Sequence, residues 1–288
     1  MLLPFILTGF FLFAFGLIIG SFLNVVIYRT LNEESFVTGR SRCDHCRKQI
    51  AWYDNIPLLS FIILKGKCRN CKKPIALTHP VVELLTGVLF LWWYIGGFFF
   101  FRFFQLSQHP FQIIQPLFWL LVGIFLLIIF VTDLISFIIP DYAVGALLGL
   151  SLAYRLALIA FGIMQRADFV HALIGTIVVT LFFFALWFFT KGKGMGFGDV
   201  KYCLPMGLLV GWPGLIVTVL VAFISGSVVG VLLLVFQGKK MKSHLIPFGP
   251  FLVFGTVAAL VYGGPLLDWY LRLSCGSALL DWCVAMIR

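Results

Sequence analysis

Two acidic residues of this 288-residue chain, Asp133 and Asp199, stand where an acid is costly and chemically useful. Each lies at the edge of a long uncharged apolar run, where a carboxylate at mid-helix would cost about 2.5 to 3.5 kcal/mol on insertion scales. Asp199 follows Gly194-Met195-Gly196-Phe197-Gly198 and precedes Val200-Lys201. Such closely spaced glycines let backbones approach and turn just before the carboxylate. Asp133 stands eight residues before Asp141 in a D-x6-P-D segment, and Pro140 prevents simple continuation of a helix. Two carboxyls brought to one water cannot both ionise easily, so they share a proton. One then accepts a proton from the attacking water while the other donates to a carbonyl. Each acid taken alone has a plainer reading, as a snorkelling or helix-capping group.

A second group of residues suits a metal. Cys43-Asp44-His45-Cys46 and Cys68-Arg69-Asn70-Cys71 form two C-x2-C knuckles separated by twenty-one residues. Four thiolates on two knuckles can converge tetrahedrally on zinc and leave no open position, so the metal is assigned to folding and not to chemistry. Arg42, Arg47, Lys48, Lys67, Arg69 and Lys72 flank the knuckles and would favour thiolates. His45 is expected outside the shell, and His79, His109, His171 and His244 show no ligand spacing. Cys203 reads as a buried apolar side chain.

The elements that must position these groups follow from composition. The chain is 61% hydrophobic and 11% charged, with 33 Phe, and its mean hydropathy is +1.07. No soluble surface can be built from that, and repeated apolar runs long enough to cross roughly 30 Å of hydrocarbon indicate an all-α polytopic membrane protein. Nucleic-acid binding and disulfide-scaffold readings are excluded, the formal charge of +10 being explained by cytoplasmic loops. The first uncharged run, residues 1–27, is a membrane helix and not a cleavable signal, because its first basic residue, Arg29, follows the run. Residues 28–80 form a small water-facing zinc domain between helices 1 and 2. Residues 81–267 form a membrane bundle, and 268–288 an exterior tail. About eight helices are expected in all, the bundle contributing runs near 81–101, 112–133, 142–163, 169–190, 199–211, 213–236 and 246–267. The run 199–211 is short and could belong to a re-entrant hairpin. Sixteen of the 21 Lys and Arg fall in the gaps 28–80, 191–201 and 237–247. The positive-inside rule therefore places the cysteine domain and both key acids at the cytoplasmic face and both termini outside. Cys275 and Cys283, in the exterior tail, could pair only across a turn near Gly276.

Taken together, these segments resemble the type IV prepilin leader peptidases, the GxGD-type aspartic proteases of bacterial membranes. The resemblance rests on Gly20-Ser21-Phe22-Leu23-Asn24 through Arg29, the paired knuckles with Asn55-Ile56-Pro57 between them, and Pro80-Val81-Val82-Glu83. D-x6-P-D, Gly-Phe-Gly-Asp-Val-Lys and Ile246-Pro247-Phe248-Gly249-Pro250-Phe251 complete it. His79 and Asp44 are small departures. The resemblance implies cleavage of prepilin or pseudopilin leaders at the cytoplasmic side of the bacterial inner membrane. Asp133 and Asp199 would be the catalytic pair, Asp141 would support or cap, and Gly196 and Gly198 would make the active-site turn. Lys201 would support substrate or charge, although a lone interface lysine reads more simply as a snorkelling anchor. It also implies N-methylation of the new amino terminus with S-adenosylmethionine. No dinucleotide-type strand, glycine loop and helix series is visible for that cofactor, and Glu83 is the one weak candidate contact.

Three other readings stay open: the protease without methylation, a proton-coupled secondary transporter, and a zinc-tethered scaffold. A transporter should show internal repeats and a polar path across the bilayer; neither is visible. Anionic lipid headgroups suit the basic domain better than basic leaders do.

Overall fold

The structure, a computed structural model, describes residues 2–32, 39–99, 111–237 and 246–287. Arg102, His109, Lys239, Lys240, Lys242 and His244 lie outside these residues, as do the side chains of Cys275 and Cys283. In chain order the helices are α1 (Leu2–Leu31), a 3-10 turn (Trp52–Asn55), α2 (Leu59–Ile63), α3 (Thr78–Phe99), α4 (Phe111–Ser136) and α5 (Asp141–Ala160). There follow α6 (Arg166–Phe189), α7 (Phe197–Val210), α8 (Gly214–Gln237) and α9 (Gly249–Ile287). Two isolated antiparallel bridges are the extent of β-pairing among the described residues.

Seven of these helices are long and apolar enough to cross a membrane. The eighth expected helix, α7, has 14 residues and so rises about 21 Å, short of the hydrocarbon thickness. α9 runs unbroken past residue 267 to Ile287, so the turn near Gly276 is not formed. Its backbone places positions 275 and 283 about 12 Å apart along one helix, beyond the reach of a bridge between them.

The chain divides into two compact units, Met1–Ile128 and Ile129–Arg288, the boundary falling inside α4. In the first unit α1 packs along α3. Gly16 and Gly20, four residues apart, are what allow the close approach: a methyl on Gly16 would stand 2.9 Å from the Gly87 Cα, and one on Gly20 2.7 Å from the Glu83 Cα. Small residues at this spacing let membrane helices meet backbone to backbone. The Asn24 amide donates to the His79 carbonyl at 2.9 Å, joining the same two helices where they leave the apolar layer.

In the second unit α7 is the central element. Nine of its residues are buried, and it packs against α5, α6, α8 and α9. Gly207 meets Thr176 of α6, and the Tyr202 hydroxyl pairs with Thr256 Oγ1 of α9 at 3.0 Å. Arg155 of α5 donates to the Leu208 carbonyl near the C-terminal end of α7, where free carbonyls favour a cation.

Because the α1–α3 crossing has no room for a side chain at position 20, Gly20→Ala is expected to lose about 1–3 kcal/mol of stability. Gly149→Ala, whose new methyl would meet nothing within 4 Å, is expected to be neutral or to gain up to about 1 kcal/mol from helix propensity. Thermal unfolding of the purified variants in lipid checks the contrast.

Candidate active site and metal centre

Asp133 and Asp199 lie within the second unit. Asp133 sits in the last turn of α4, where its own carbonyl accepts the Phe137 N–H at 2.9 Å as the helix ends. Asp199 is in the first turn of α7, three residues after the Gly196 cap. From there its carboxyl reaches back toward the Gly196 amide, one half of a capping box. The two side chains are 6% and 5% exposed and close enough for the charge of one to act on the other. Asp133 Oδ2 and Asp199 Oδ1 are both buried without a hydrogen-bond partner among the described residues. Buried carboxylate oxygens are seldom left so, and here the two belong to neighbouring acids.

Two residues to which the sequence analysis gave no individual role shape this site. Ile139, in the break between α4 and α5, packs against both Gly198 and Gly249: a methyl added to those glycines would stand 3.1 Å from the Ile139 Cβ and 3.2 Å from its Cδ1, respectively. Gly249 opens α9 directly over Asp133, and a methyl there would lie 2.5 Å from Asp133 Oδ2. Its backbone N–H also serves the Asp133 carboxyl. The segment Ile246-Pro247-Phe248 thus precedes a plain helix start. Phe248 fixes its position within an aromatic cluster, with ring centroids 5.2 Å from Phe223 and 6.2 Å from the buried Phe183.

The glycines before Asp199 divide their work. Gly196 has an ordinary extended backbone, and Gly198 is small because Ile139 occupies the space beside it. The left-handed turn falls earlier, at Lys191 and Gly192, where Trp187 closes over Gly192 and meets Phe197 in a tilted ring contact with centroids 5.0 Å apart. Lys201, expected as a solitary interface anchor, instead forms an ion pair with Asp141 and stands 5.7 Å over the Phe197 ring. Since Asp141 begins α5, the pair clamps the start of that helix to α7 two residues beyond Asp199.

The cysteine knuckles lie in the first unit and repeat one another in detail. Cys43 N–H donates to Lys48 O and Arg47 N–H to Cys43 O at 3.0 and 2.9 Å; Cys68 N–H donates to Lys73 O and Lys72 N–H to Cys68 O at 2.9 and 3.0 Å. Arg47 and Lys72 take the same left-handed backbone, φ 57° and 58°. The four sulfurs lie within 4.8 Å of one another, and Cys43 and Cys71 Sγ are 3.9 Å apart. A tetrahedron with zinc–sulfur bonds near 2.3 Å has sulfur–sulfur edges of roughly 3.8 Å, so the cluster fits such an ion. Hydrogen bonds from the Cys71 and Asn70 backbone bring the Cys68 thiol down to about 7, whereas burial pushes Cys43 up to about 11. Backbone amides, and not the flanking Lys and Arg of the sequence reading, thus do most to favour the Cys68 thiolate. The remaining sequence candidate, Glu83, accepts the Leu58 N–H at 2.8 Å and a hydrogen bond from Ser21, so it braces the domain against α1 and α3. It also lines a cavity of about 610 Å³ with Ser21, Asn24, Tyr28, His79 and the knuckle residues.

A chain with seven candidate spans, two interacting acids buried in its helical core and a four-cysteine cluster between its first two long helices is a polytopic membrane protein of the paired-carboxyl kind. Residues 120–231 match the type IV leader peptidase family, and residues 14–96 match the bacterial peptidase A24 N-terminal domain. The chain is similar to the prepilin leader peptidase/N-methyltransferase of Legionella pneumophila, 30% identical over 89% of this chain and 92% of that protein. The protein of the same name from Aeromonas hydrophila is 30% identical over 90% and 92%. That from Myxococcus xanthus is 36% identical over 80% of this chain, a match spanning 64% of the longer protein. This chain belongs to the type IV leader peptidase family. No solved structure matches it.

One interaction outside the membrane has a readable pH dependence. Arg69, inside the second knuckle, holds Asp54 of the 3-10 turn through two bonds, Nε to Oδ2 at 2.8 Å and Nη2 to Oδ1 at 2.7 Å. The guanidinium keeps the Asp54 carboxyl below its ordinary value. A depressed carboxyl contributes stability above its unfolded pKa and loses it as pH falls through the folded one. Asp54→Asn is therefore expected to flatten the loss of thermal stability between about pH 5 and pH 3, measured by thermal scans of the full chain.

Proposed function

We propose that this protein is a membrane aspartic endopeptidase that removes the leader of type IV prepilins or pseudopilins at the cytoplasmic face of the bacterial inner membrane. The observation that carries this reading is the burial of Asp133 and Asp199 together, each with a carboxyl oxygen left over for a reacting partner. One carboxyl accepts a proton from the attacking water while the other, protonated, donates to the scissile carbonyl. In the apolar surroundings set by Ile139 these charges act with little screening. Gly249 leaves room beside the Asp133 carboxyl, Gly198 lets α7 approach Ile139, and Gly196 sets the start of α7. Lys201 and Asp141 hold α7 and α5 in register around Asp199. A proton-coupled transporter is not favoured, since both key acids belong to one face in the topology read from the basic loops.

Asp133→Asn and Asp199→Asn are each expected to lower the cleavage rate of a reconstituted prepilin by at least about 100-fold. Either variant cutting at the parental rate overturns the assignment. Gly249→Ala, which displaces the Asp133 carboxyl, is expected to cost on the order of 100-fold as well.

The second activity of the named relatives, N-methylation, is supported here by the cavity beside Glu83. Its volume falls within the ~300–1,000 Å³ usual for small-molecule sites, and its lining carries Glu83 and Asp44, basic side chains such as Arg29 and Arg42, and Tyr28, Tyr53 and Asn24, a mixture suited to a ligand that bears both charges and an aromatic base. S-adenosylmethionine, when bound, would supply the methyl group. Glu83 and Asn24 would hold and orient the incoming amine, and the four cysteines, holding zinc, would keep the cavity wall in shape. Glu83→Gln is expected to release pilin whose new amino terminus, read by mass spectrometry, lacks the methyl, with cleavage retained. Full methylation by that variant would remove Glu83 from the site.

A further inference from the structure

The short helix α2 is amphipathic in the wrong direction for a water-facing domain. Leu59, Ile62 and Ile63 fall at i, i+3 and i+4 and so share one face, yet they are 50%, 70% and 64% exposed. The polar residue between them, Ser60, points inward and is 6% exposed. Its hydroxyl donates to the Tyr53 carbonyl at 2.9 Å and accepts the Ile56 N–H at 3.1 Å. Phe61 lies against Gly66. The helix is thus pinned from behind by a serine, with its aliphatic stripe turned out.

Where that stripe sits along the membrane normal is set by a hydrogen bond. Leu58, which caps the start of α2, donates its N–H to Glu83 at 2.8 Å. Glu83 is five residues into the candidate span that begins at Thr78, about 7.5 Å along its axis. α2 therefore lies level with the first turns of a membrane helix. The segment from Asn55 to Val82 contains no acidic residue. Lys65, Lys67, Lys72 and Lys73 are exposed, and of the basic residues from Lys65 to Lys73 only Arg69 has a carboxylate partner among the described residues. Leu77, immediately before α3, is exposed as well.

We infer that α2 is a membrane-interface anchor: Leu59, Ile62 and Ile63 enter the boundary between headgroups and acyl chains, while the neighbouring lysines engage anionic headgroups. Apolar side chains on one face with lysines beside them is the pattern by which amphipathic helices lie in a membrane surface, and each surface lysine adds attraction to anionic lipid. The anchor continues the lipid-facing surface of α3 onto the cytoplasmic domain, and holds the zinc knuckles and the cavity beside Glu83 against the bilayer. The inference does not rest on the cleavage or methylation readings.

The test uses the full chain reconstituted in vesicles of mixed anionic and zwitterionic phospholipid. Ile62→Trp and Ile63→Trp, both at exposed positions that accept a larger side chain, each add one fluorophore, read as the difference from the parent protein. The added emission is expected to be blue-shifted and quenched at least about twofold by lipids brominated near the headgroup end of their chains. The quenching should weaken when the anionic lipid is replaced by phosphatidylcholine. Water-like emission from both variants, indifferent to brominated lipid, overturns the anchor. Emission that shifts only when prepilin is added also overturns it, and makes the stripe a substrate-docking face. Equal quenching in both lipid mixtures overturns the role given to the lysines.

Discussion

A carboxyl group inside an apolar helical core has few ways to exist: it can be neutral, be hydrogen-bonded, or face another group that shares its proton. The second unit is arranged around that constraint. Asp199 begins a helix, where free N–H groups serve it, and Asp133, at the end of another, is served by the Gly249 N–H at the start of α9. What remains unsatisfied is one oxygen on each acid. Ile139 packs against the glycines at 198 and 249, and the absence of a side chain at 249 leaves room beside the Asp133 carboxyl. Replacing either glycine would press a methyl against Ile139 or the Asp133 carboxyl.

That arrangement explains why α7 is short and buried. A helix whose first turn must present an acid at the level of the interface, and whose remainder must be locked, is held at both ends. The Lys201–Asp141 pair secures its start, and Arg155 and Thr176 secure its far half. Most of α7 is buried, Phe197 and Leu204 being its exposed apolar side chains, so its position is set chiefly by four neighbouring helices. An acid carried on a lipid-facing span would have no comparable fixity.

The first unit solves a different problem. The segment between α1 and α3 is too short to bury a core of its own, and chains of that size depend on metals or other cross-links. Two knuckles with the same hydrogen bonds and the same left-handed residue after the second cysteine give a rigid four-sulfur cluster. Arg69 carries that rigidity outward to the 3-10 turn through Asp54, and Ser60 and Glu83 carry it on to α2 and α3. The cavity is therefore walled by elements that depend on the cluster.

Much of this was legible along the chain because it is local. Apolar runs separated by charged gaps mark helices whatever their neighbours, Pro140 stops a helix through its own ring, and C-x2-C spacing is a property of a few consecutive residues. The roles of Ile139 and Gly249 were not legible, since neither bears a functional group and each acts only by where it meets a distant segment. The pairing of Lys201 was not legible for the same reason: its partner, Asp141, is sixty residues away.

From its residues alone the chain determined that it is a multi-spanning helical protein, that four cysteines can gather one metal, and that two acids stand apart from the rest, because periodicity, spacing and the cost of burying charge all act within short stretches. Only the packed structure decided that those acids come close enough to act on one another, that α7 stops short of spanning, and that α2 turns its aliphatic side outward. Those outcomes depend on contacts between segments far apart in the chain, and no local pattern encodes which helix will lie beside which.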